Sequence, residues 1–538
     1  MLGLIQDRPL LLSSLIEHAA LYHGDREVVS RTVEGPIHRT NWREINARAK
    51  RLANALVALG VKPGDRVATM AWNGYRHVEL YYAVSGMGAV LHTINPRLFP
   101  EQIEYIANHA EDTLLFFDAT FAPLVEKLAP RFKTIRNIVA LTDKAHLPAI
   151  NVSGLLCYEE MLAAQPDRFE WPQFDERTAS SLCYTSGTTG NPKGVLYTHR
   201  STVLHSFSGC SADGLGISSG ESILLIVPLF HVNGWGVAYS AAMSGAKLVL
   251  PGPALDGRSV YELLAKEACT LTLGVPTVWL MLLDYIEQNR ASLNLSDIKL
   301  KRVIIGGSAA PRAMIEKFRD LFGAFVVHAW GMTEMSPIGT VGHLLPKHAG
   351  LSTEKITAVQ VKQGRAIYGV EMKIVGEDGK ELQRDGKAFG DLLVRGPWVT
   401  RGYFKNDDAV IDEQGWFRTG DVATLDPDGY MQITDRSKDV IKSGGEWISS
   451  IDLENAAVAH PAVQEAAVIG IAHNKWGERP LLVVIKKSGA TVTREELLAF
   501  LGDKVAKWWL PHTATGKLQK TTLRDQFRTY RLPTDSAA

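Results

Sequence analysis

Cysteine is scarce in this chain: four residues in 538, at positions 157, 183, 210 and 269, with no CxxC pair. That spacing suits neither a structural zinc site nor a disulfide framework, and it points to a reducing compartment. An excess of charge of either sign is missing too. Lys and Arg number 58 against 58 Asp and Glu, and the pI is near 7.3. Such a balance excludes a protein devoted to polyanions, so no nucleic-acid partner is expected. Long apolar runs are also lacking. Residues 222–230 and 270–283 are too short or too interrupted to span a bilayer, so no integral membrane contact is expected. The opening residues meet Asp7, Arg8 and Pro9 before a signal-peptide core can form, and we expect a cytoplasmic protein. Neither a repeat period nor a low-complexity tract is visible.

What is there is an ordinary globular mixture, 46% hydrophobic and 22% charged, with enough apolar residues for a large core. The first 250 residues alternate two periods. Ile45, Leu52, Leu56 and Leu59 share one helical face, and Gly60 follows where a C-terminal cap belongs. The turn Lys62-Pro63-Gly64-Asp65 leads to a strand over 66–71, a helix over 77–85 and a strand over 89–92. Residues 114–117 and 138–141 repeat the short buried-strand signal. This alternation predicts an α/β fold with parallel-rich sheets covered by helices. Further on, Gly386, Gly390, Gly396, Gly402, Gly415, Gly420 and Gly429 separate short apolar runs, which predicts a small barrel-like part of antiparallel strands. After Arg436-Ser437-Lys438-Asp439 the pattern becomes helix (451–460), strand (463–471), strand (479–485) and helix (493–500). We therefore expect a large N-terminal domain, 1–435, and a small α+β C-terminal domain, 436–538.

The most informative stretch is Tyr184-Thr185-Ser186-Gly187-Thr188-Thr189-Gly190-Asn191-Pro192-Lys193-Gly194. It follows the apolar residues 181–183 and precedes a predicted helix from Thr198. Its glycines let successive N–H groups face an anion, and four hydroxyls with Lys193 add donors and charge. Lys193 sits between Pro192 and Gly194, so this is not a Walker A loop. An ordinary Ser/Thr/Gly surface loop would not need so many hydroxyls beside one lysine.

This segment resembles the phosphate loop of the acyl-adenylate-forming superfamily, and the other motifs of that superfamily occur in order. They are Pro228-Leu229-Phe230-His231, Gly306-Gly307-Ser308-Ala309-Ala310-Pro311, Gly331-Met332-Thr333-Glu334 and Trp416-Phe417-Arg418-Thr419-Gly420-Asp421. Asp435-Arg436-Ser437-Lys438-Asp439, Lys442-Ser443-Gly444-Gly445-Glu446 and Thr515-Gly516-Lys517 complete the set. The run Ser443–Ser450 and the segment Gly234-Trp235-Gly236 look like the branch of medium-chain fatty acid and 3-(methylthio)propionate CoA ligases. The resemblance covers nearly the whole chain. It implies an ATP-dependent acyl-CoA synthetase using ATP, Mg²⁺ and CoA on a short- to medium-chain apolar acid, with 3-(methylthio)propionate first. A medium-chain fatty acid, a fatty acyl-AMP ligase and a catalytically silent nucleotide-binding homologue are the alternatives. Monomer and homodimer both stay open.

The resemblance also implies roles. Thr185, Ser186, Gly187, Thr188, Thr189, Gly190 and Lys193 would cradle phosphates. Gly307, Ser308, Ala309, Ala329, Trp330 and Gly331 would line adenine. Trp330 stands where the family usually has tyrosine, and an indole stacks as well but offers no hydroxyl. Thr333 would reach the α-phosphate and Glu334 would bind the metal. Asp421 would clamp the ribose with Arg436 beside it. His231, Trp235, Gly306 and Gly331 would shape the acyl pocket, His231 positioning substrate rather than acting as a base. Lys517 would neutralise carboxylate and α-phosphate during adenylation. Lys438 would be the hinge of a mobile C-terminal domain, and Ser443, Gly444 and Gly445 would meet CoA. Relatives have a further short strand between the Lys507–Pro511 segment and the Thr-Gly-Lys loop. Here Pro511 runs straight into His512-Thr513-Ala514, so either that strand is missing or a stretch of chain is left out of this sequence.

Overall fold

The computed structural model describes residues 1, 3–185, 191–437, 439–443, 446–473, 477–487, 489–502, 512–515, 520, 523–524 and 527. It is a mixed α/β structure whose chain forms two compact units, 1–371 with 395–417 and 372–394 with 418–538.

In the first unit, one sheet orders its strands Leu156–Cys157, Asn137–Ala140, Asp112–Phe117, Arg66–Met70, Val90–Thr93, Ala179–Tyr184 and Gly194–Thr198. All pairings are parallel except the last, the hairpin on either side of the glycine-rich segment. A second sheet runs Ile37–Asn41, Glu27–Arg31, Lys247–Leu250, Ser222–Leu225, Leu271–Gly274, Arg302–Ile305, Phe325–Gly331, Ile338–Val341 and Gly364–Ala366. Its middle is parallel and both ends are antiparallel. The helix predicted from Ile45 spans Trp42–Ala58. Asn41 caps it by accepting from the Glu44 amide at 2.9 Å, and Gly60 takes a φ of 79° just past its end. Ile45, Leu52 and Leu56 are fully buried, each worth about 1.5–3 kcal/mol of transfer free energy. Helix Tyr75–Gly86 is buried on every side. Its Tyr81 and Tyr82 hydroxyls therefore need partners, and they donate to the carbonyls of Leu229 and Ala238 at 2.5 and 2.9 Å.

In the second unit, strands Glu371–Val375, Phe389–Arg395, Phe417–Leu425 and Tyr430–Arg436 follow one another in space, the last two antiparallel. A separate sheet holds Glu446–Ile448, Ile441–Ser443, Gly477–Lys486 and Val463–His473 in that order. Helices Ser450–Val458 and Arg494–Gly502 accompany it, with Leu453, Val468, Leu482 and Leu497 in one core cluster. The first of the two alternatives, loss of the strand before the Thr-Gly-Lys loop, is corrected here. Residues His512–Thr515 themselves form a strand, parallel to Gly477–Lys486. Four residues suffice because the free edge of Gly477–Lys486 supplies the backbone partners.

Candidate active site

The hairpin between Ala179–Tyr184 and Gly194–Thr198 is closed at its base by two bonds. The Thr185 amide donates to the Lys193 carbonyl at 2.9 Å, and the Lys193 amide donates to the Thr185 hydroxyl at 3.2 Å. Residues Ser186, Gly187, Thr188, Thr189 and Gly190 lie outside the described residues. Lys193 is exposed, with its ammonium 4.8 Å from the ring centroid of Tyr403. Tyr403 in turn donates its hydroxyl to Glu334 Oε1 at 2.8 Å. Burial and the neighbouring carboxylate push the Tyr403 phenol well up, so it stays protonated and donates.

Thr333 and Glu334 are buried, at 7% exposure each, in a short 3₁₀ turn after strand Phe325–Gly331. Tyr197, on strand Gly194–Thr198, donates to the Thr333 carbonyl at 2.6 Å, and the Thr400 amide donates to the Glu334 carbonyl at 2.7 Å. The Phe404 amide bonds the Gly194 carbonyl at 2.8 Å. Thr185, Lys193, Thr333 and Glu334 are thus joined through Tyr197 and the 400–404 segment.

A second group gathers around Trp235. His231 is half-buried, and burial holds its ring below the ordinary histidine range, so it is neutral at pH 7. Residues 232–236 then make a left-handed turn, with φ of 41° at Val232, 35° at Asn233, 57° at Gly234, 55° at Trp235 and 69° at Gly236. Each non-glycine member costs about 1–2 kcal/mol in that conformation. The turn presses the Trp235 indole on Gly306: a Cβ there would lie 2.7 Å from Trp235 Cη2 and 3.0 Å from the Ala329 carbonyl. Gly331 is equally constrained, since a Cβ would meet the Pro337 carbonyl at 2.1 Å. Trp330 is buried and lies over Gly339, where a Cβ would come within 2.6 Å of its ring. Gly307 takes a φ of 79°, and Ser308 and Ala309 follow it toward Ala310, whose amide bonds His328 Nε2 at 3.3 Å. His328 Nδ1 donates to the Val361 carbonyl at 3.1 Å, and full burial pushes its pKa down to about 4. His205, also pushed down to about 4 by burial, accepts from the Ile338 amide at 3.2 Å.

In the second unit, Asp421 and Arg436 are register partners on adjacent strands, and Arg436 Nε lies 2.9 Å from Asp421 Oδ1. Asp421 is buried while Arg436 is half-exposed. Ser443 is buried and accepts from Arg479 at 3.4 Å. Lys438, Gly444, Gly445 and Lys517 lie outside the described residues. Tyr197, His205, His328, Thr400 and Tyr403 carry no local motif. The alternation of strand Gly194–Thr198, which turns Tyr197 inward, was the one usable signal.

The base of the hairpin, at Thr185 and Lys193, is thus braced against the buried Thr333-Glu334 turn of a mixed α/β chain. The AMP-binding enzyme family matches residues 16–404, and its C-terminal domain family matches residues 452–523. The chain is 54% identical to the 3-methylmercaptopropionyl-CoA ligase of Ruegeria pomeroyi, covering 98% of this chain and 99% of the relative. It is 49% identical to a medium-chain-fatty-acid–CoA ligase of Ectopseudomonas oleovorans, covering 98% of each. The fold matches the crystal structure of the anthranilate CoA ligase AuaEII in complex with anthranoyl-AMP, with a TM-score of 0.84 and 24% identity over 97% of this chain and 98% of that one. ATP-bound MatB from Rhodopseudomonas palustris gives a TM-score of 0.80 and 24% identity over 96% of this chain and 100% of that one. The chain belongs to the AMP-binding enzyme family, within the acyl-adenylate-forming superfamily. Among the described residues no helix is long and apolar enough to cross a membrane.

Proposed function

We propose that this chain is an ATP-dependent acyl-CoA ligase whose preferred acid is short and apolar, with 3-(methylthio)propionate first and medium-chain fatty acids second. The observation that carries the reading is end-to-end likeness, at 54% identity, to a relative named 3-methylmercaptopropionyl-CoA ligase. The indole of Trp235 against Gly306 supports a short acid, because the ring takes volume that a long tail needs. In the first step a carboxylate oxygen attacks the α-phosphorus of ATP. The bond to the bridging oxygen breaks, and pyrophosphate leaves with that electron pair. In the second step the CoA sulfur attacks the acyl carbon, the bond to AMP breaks, and the thiol proton goes to solvent.

Two anions must meet in the first step, so positioning and neutralisation lower the barrier. We assign Thr185–Gly190 and Lys193 to the phosphates, Thr333 to the α-phosphate, and Gly307, Ser308, Ala309, Ala329, Trp330 and Gly331 to adenine. Asp421 and Arg436 hold the ribose, Lys517 neutralises the reacting anions, and Ser443, Gly444 and Gly445 meet CoA. His231, neutral at pH 7, can position the acid's carboxylate by donating one N–H. The domain boundary at 435/436, the hinge at Lys438 and a cytoplasmic location belong to the same reading.

Mg²⁺ fits Glu334. Its carboxylate is buried, and its Oε1 takes the Tyr403 hydroxyl. Among the described residues no group of three or more His, Cys, Asp or Glu could hold a metal ion by itself. An ion here would therefore take most of its shell from phosphates and water, as Mg²⁺ commonly does. When bound, it neutralises triphosphate charge. Incubation with ATP, CoA and acids of graded length, read for acyl-CoA, AMP and pyrophosphate, tests the proposal. Acyl-AMP without acyl-CoA would point to an acyl-AMP ligase, and nucleotide binding without pyrophosphate to a silent homologue.

A further inference from the structure

We propose that Asn233 is a positioning residue that sets acyl selectivity by holding the left-handed turn between His231 and Trp235, a role that rests on the acyl-CoA ligase reading above. Val232, Asn233 and Trp235 all occupy backbone conformations that favour glycine, and Val232 is β-branched besides. Such a turn persists only where its surroundings over-determine it. Asn233 supplies that restraint with both ends of its amide. Its Oδ1 accepts from the Thr93 hydroxyl at 2.8 Å, and its Nδ2 donates to the Ser181 hydroxyl at 2.5 Å. All three side chains are buried, at 5%, 2% and 0% exposure, so water cannot replace either bond.

The two anchors belong to neighbouring parallel strands. Thr93 ends Val90–Thr93, and Ser181 lies in Ala179–Tyr184, the strand that runs into the phosphate loop. The amides of Val232 and Asn233 also face the buried Cys183 thiol on that strand. The turn's glycines are filled in by their neighbours: a Cβ at Gly234 would meet Leu229 Cδ2, and one at Gly236 would meet His205 Nδ1, each at 2.8 Å. The turn is therefore fixed to the same sheet that presents the phosphate hairpin, and Asn233 is its polar rivet. Without the amide, the strained backbone is free to relax, and Trp235 moves relative to Gly306. The width of the acyl space changes, while the Thr185–Lys193 closure stays intact. The effect falls on the acid and not on ATP.

The test compares full-length Asn233→Ala, Thr93→Val and Thr93→Ser with wild type, using ATP, CoA, propionate and hexanoate. In Asn233→Ala the ratio of kcat/KM for hexanoate over propionate moves by about tenfold or more, with KM for ATP within about twofold of wild type. Thr93→Val moves the ratio in the same direction, and Thr93→Ser, which keeps the hydroxyl, restores the wild-type ratio. A merely structural role would lower turnover of both acids together and leave the ratio alone. An unchanged ratio in folded Asn233→Ala overturns the proposal. If that variant does not fold, an unchanged ratio in Thr93→Val overturns it equally. A wild-type chain that makes no acyl-CoA from any acid overturns the ligase reading and this proposal with it. Wild-type turnover with an unmoved ratio in the variants overturns this proposal alone.

Discussion

Replacing Trp235 by alanine should lengthen the acid that the enzyme prefers. The indole is 8% exposed, and its far edge reaches the place where a Gly306 side chain would start. Truncation removes the whole ring from that contact, and no neighbouring backbone can follow it inward, because Gly306 is held by strand Arg302–Ile305 behind it. The freed space takes about three more methylenes, each worth about 0.8 kcal/mol when buried. Hexanoate exceeds propionate by that number, so its relative kcat/KM should rise by up to roughly 60-fold. The assay is acyl-CoA formation with each acid at saturating ATP and CoA, after circular dichroism has shown that the variant is folded. That control is needed because deleting a buried tryptophan costs about 3–5 kcal/mol of stability. A hexanoate-to-propionate ratio within about twofold of wild type would remove Trp235 from the acyl pocket and refute the reasoning.

Lys517→Ala should lower single-turnover acyl-AMP formation by a factor of about 10²–10³, while thioester formation from synthetic acyl-AMP and CoA stays within a few-fold; equal losses in both steps would defeat a lysine that serves adenylation alone. The fully buried His328, pushed down to about 4, stays neutral in the folded chain while the unfolded chain protonates it from about 6.5 downward. Its contribution to stability is therefore lost as pH falls from about 6.5 to 4, by about 3 kcal/mol in all. His328→Gln keeps a donor for Val361 and an acceptor for Ala310, so urea unfolding should show the variant gaining on wild type by about that amount between pH 7 and pH 4. A stability gap independent of pH would show that His328 protonates freely when folded.

Local pattern carried the helices and strands well. The apolar face of Trp42–Ala58, the glycine beyond it and the alternating short strands are all written in spacing. So is the hairpin of Ala179–Tyr184 and Gly194–Thr198, whose two short strands flank the glycine-rich segment. What supports the site was not legible. Tyr403 lies 69 positions from Glu334, and Tyr197 lies 136 from Thr333, so neither contact leaves a local trace. The left-handed turn is the clearest case. Valine, asparagine and tryptophan at 232, 233 and 235 prefer other conformations, and tertiary bonds such as those from Thr93 and Ser181, each distant in sequence, overrule them. The strand at His512–Thr515 escaped for a related reason: it is made by the edge it joins, not by its own composition.

Acyl transfer through an adenylate has one direct signature, the path of the carboxylate oxygen. An acid labelled with ¹⁸O in both carboxylate positions, turned over with ATP and CoA, should give AMP carrying one ¹⁸O per molecule and acyl-CoA retaining the other. The label reaches AMP because the attacking oxygen stays on phosphorus when the CoA sulfur breaks the acyl bond. Unlabelled AMP, or ADP and phosphate in place of AMP and pyrophosphate, would contradict adenylation by this chain.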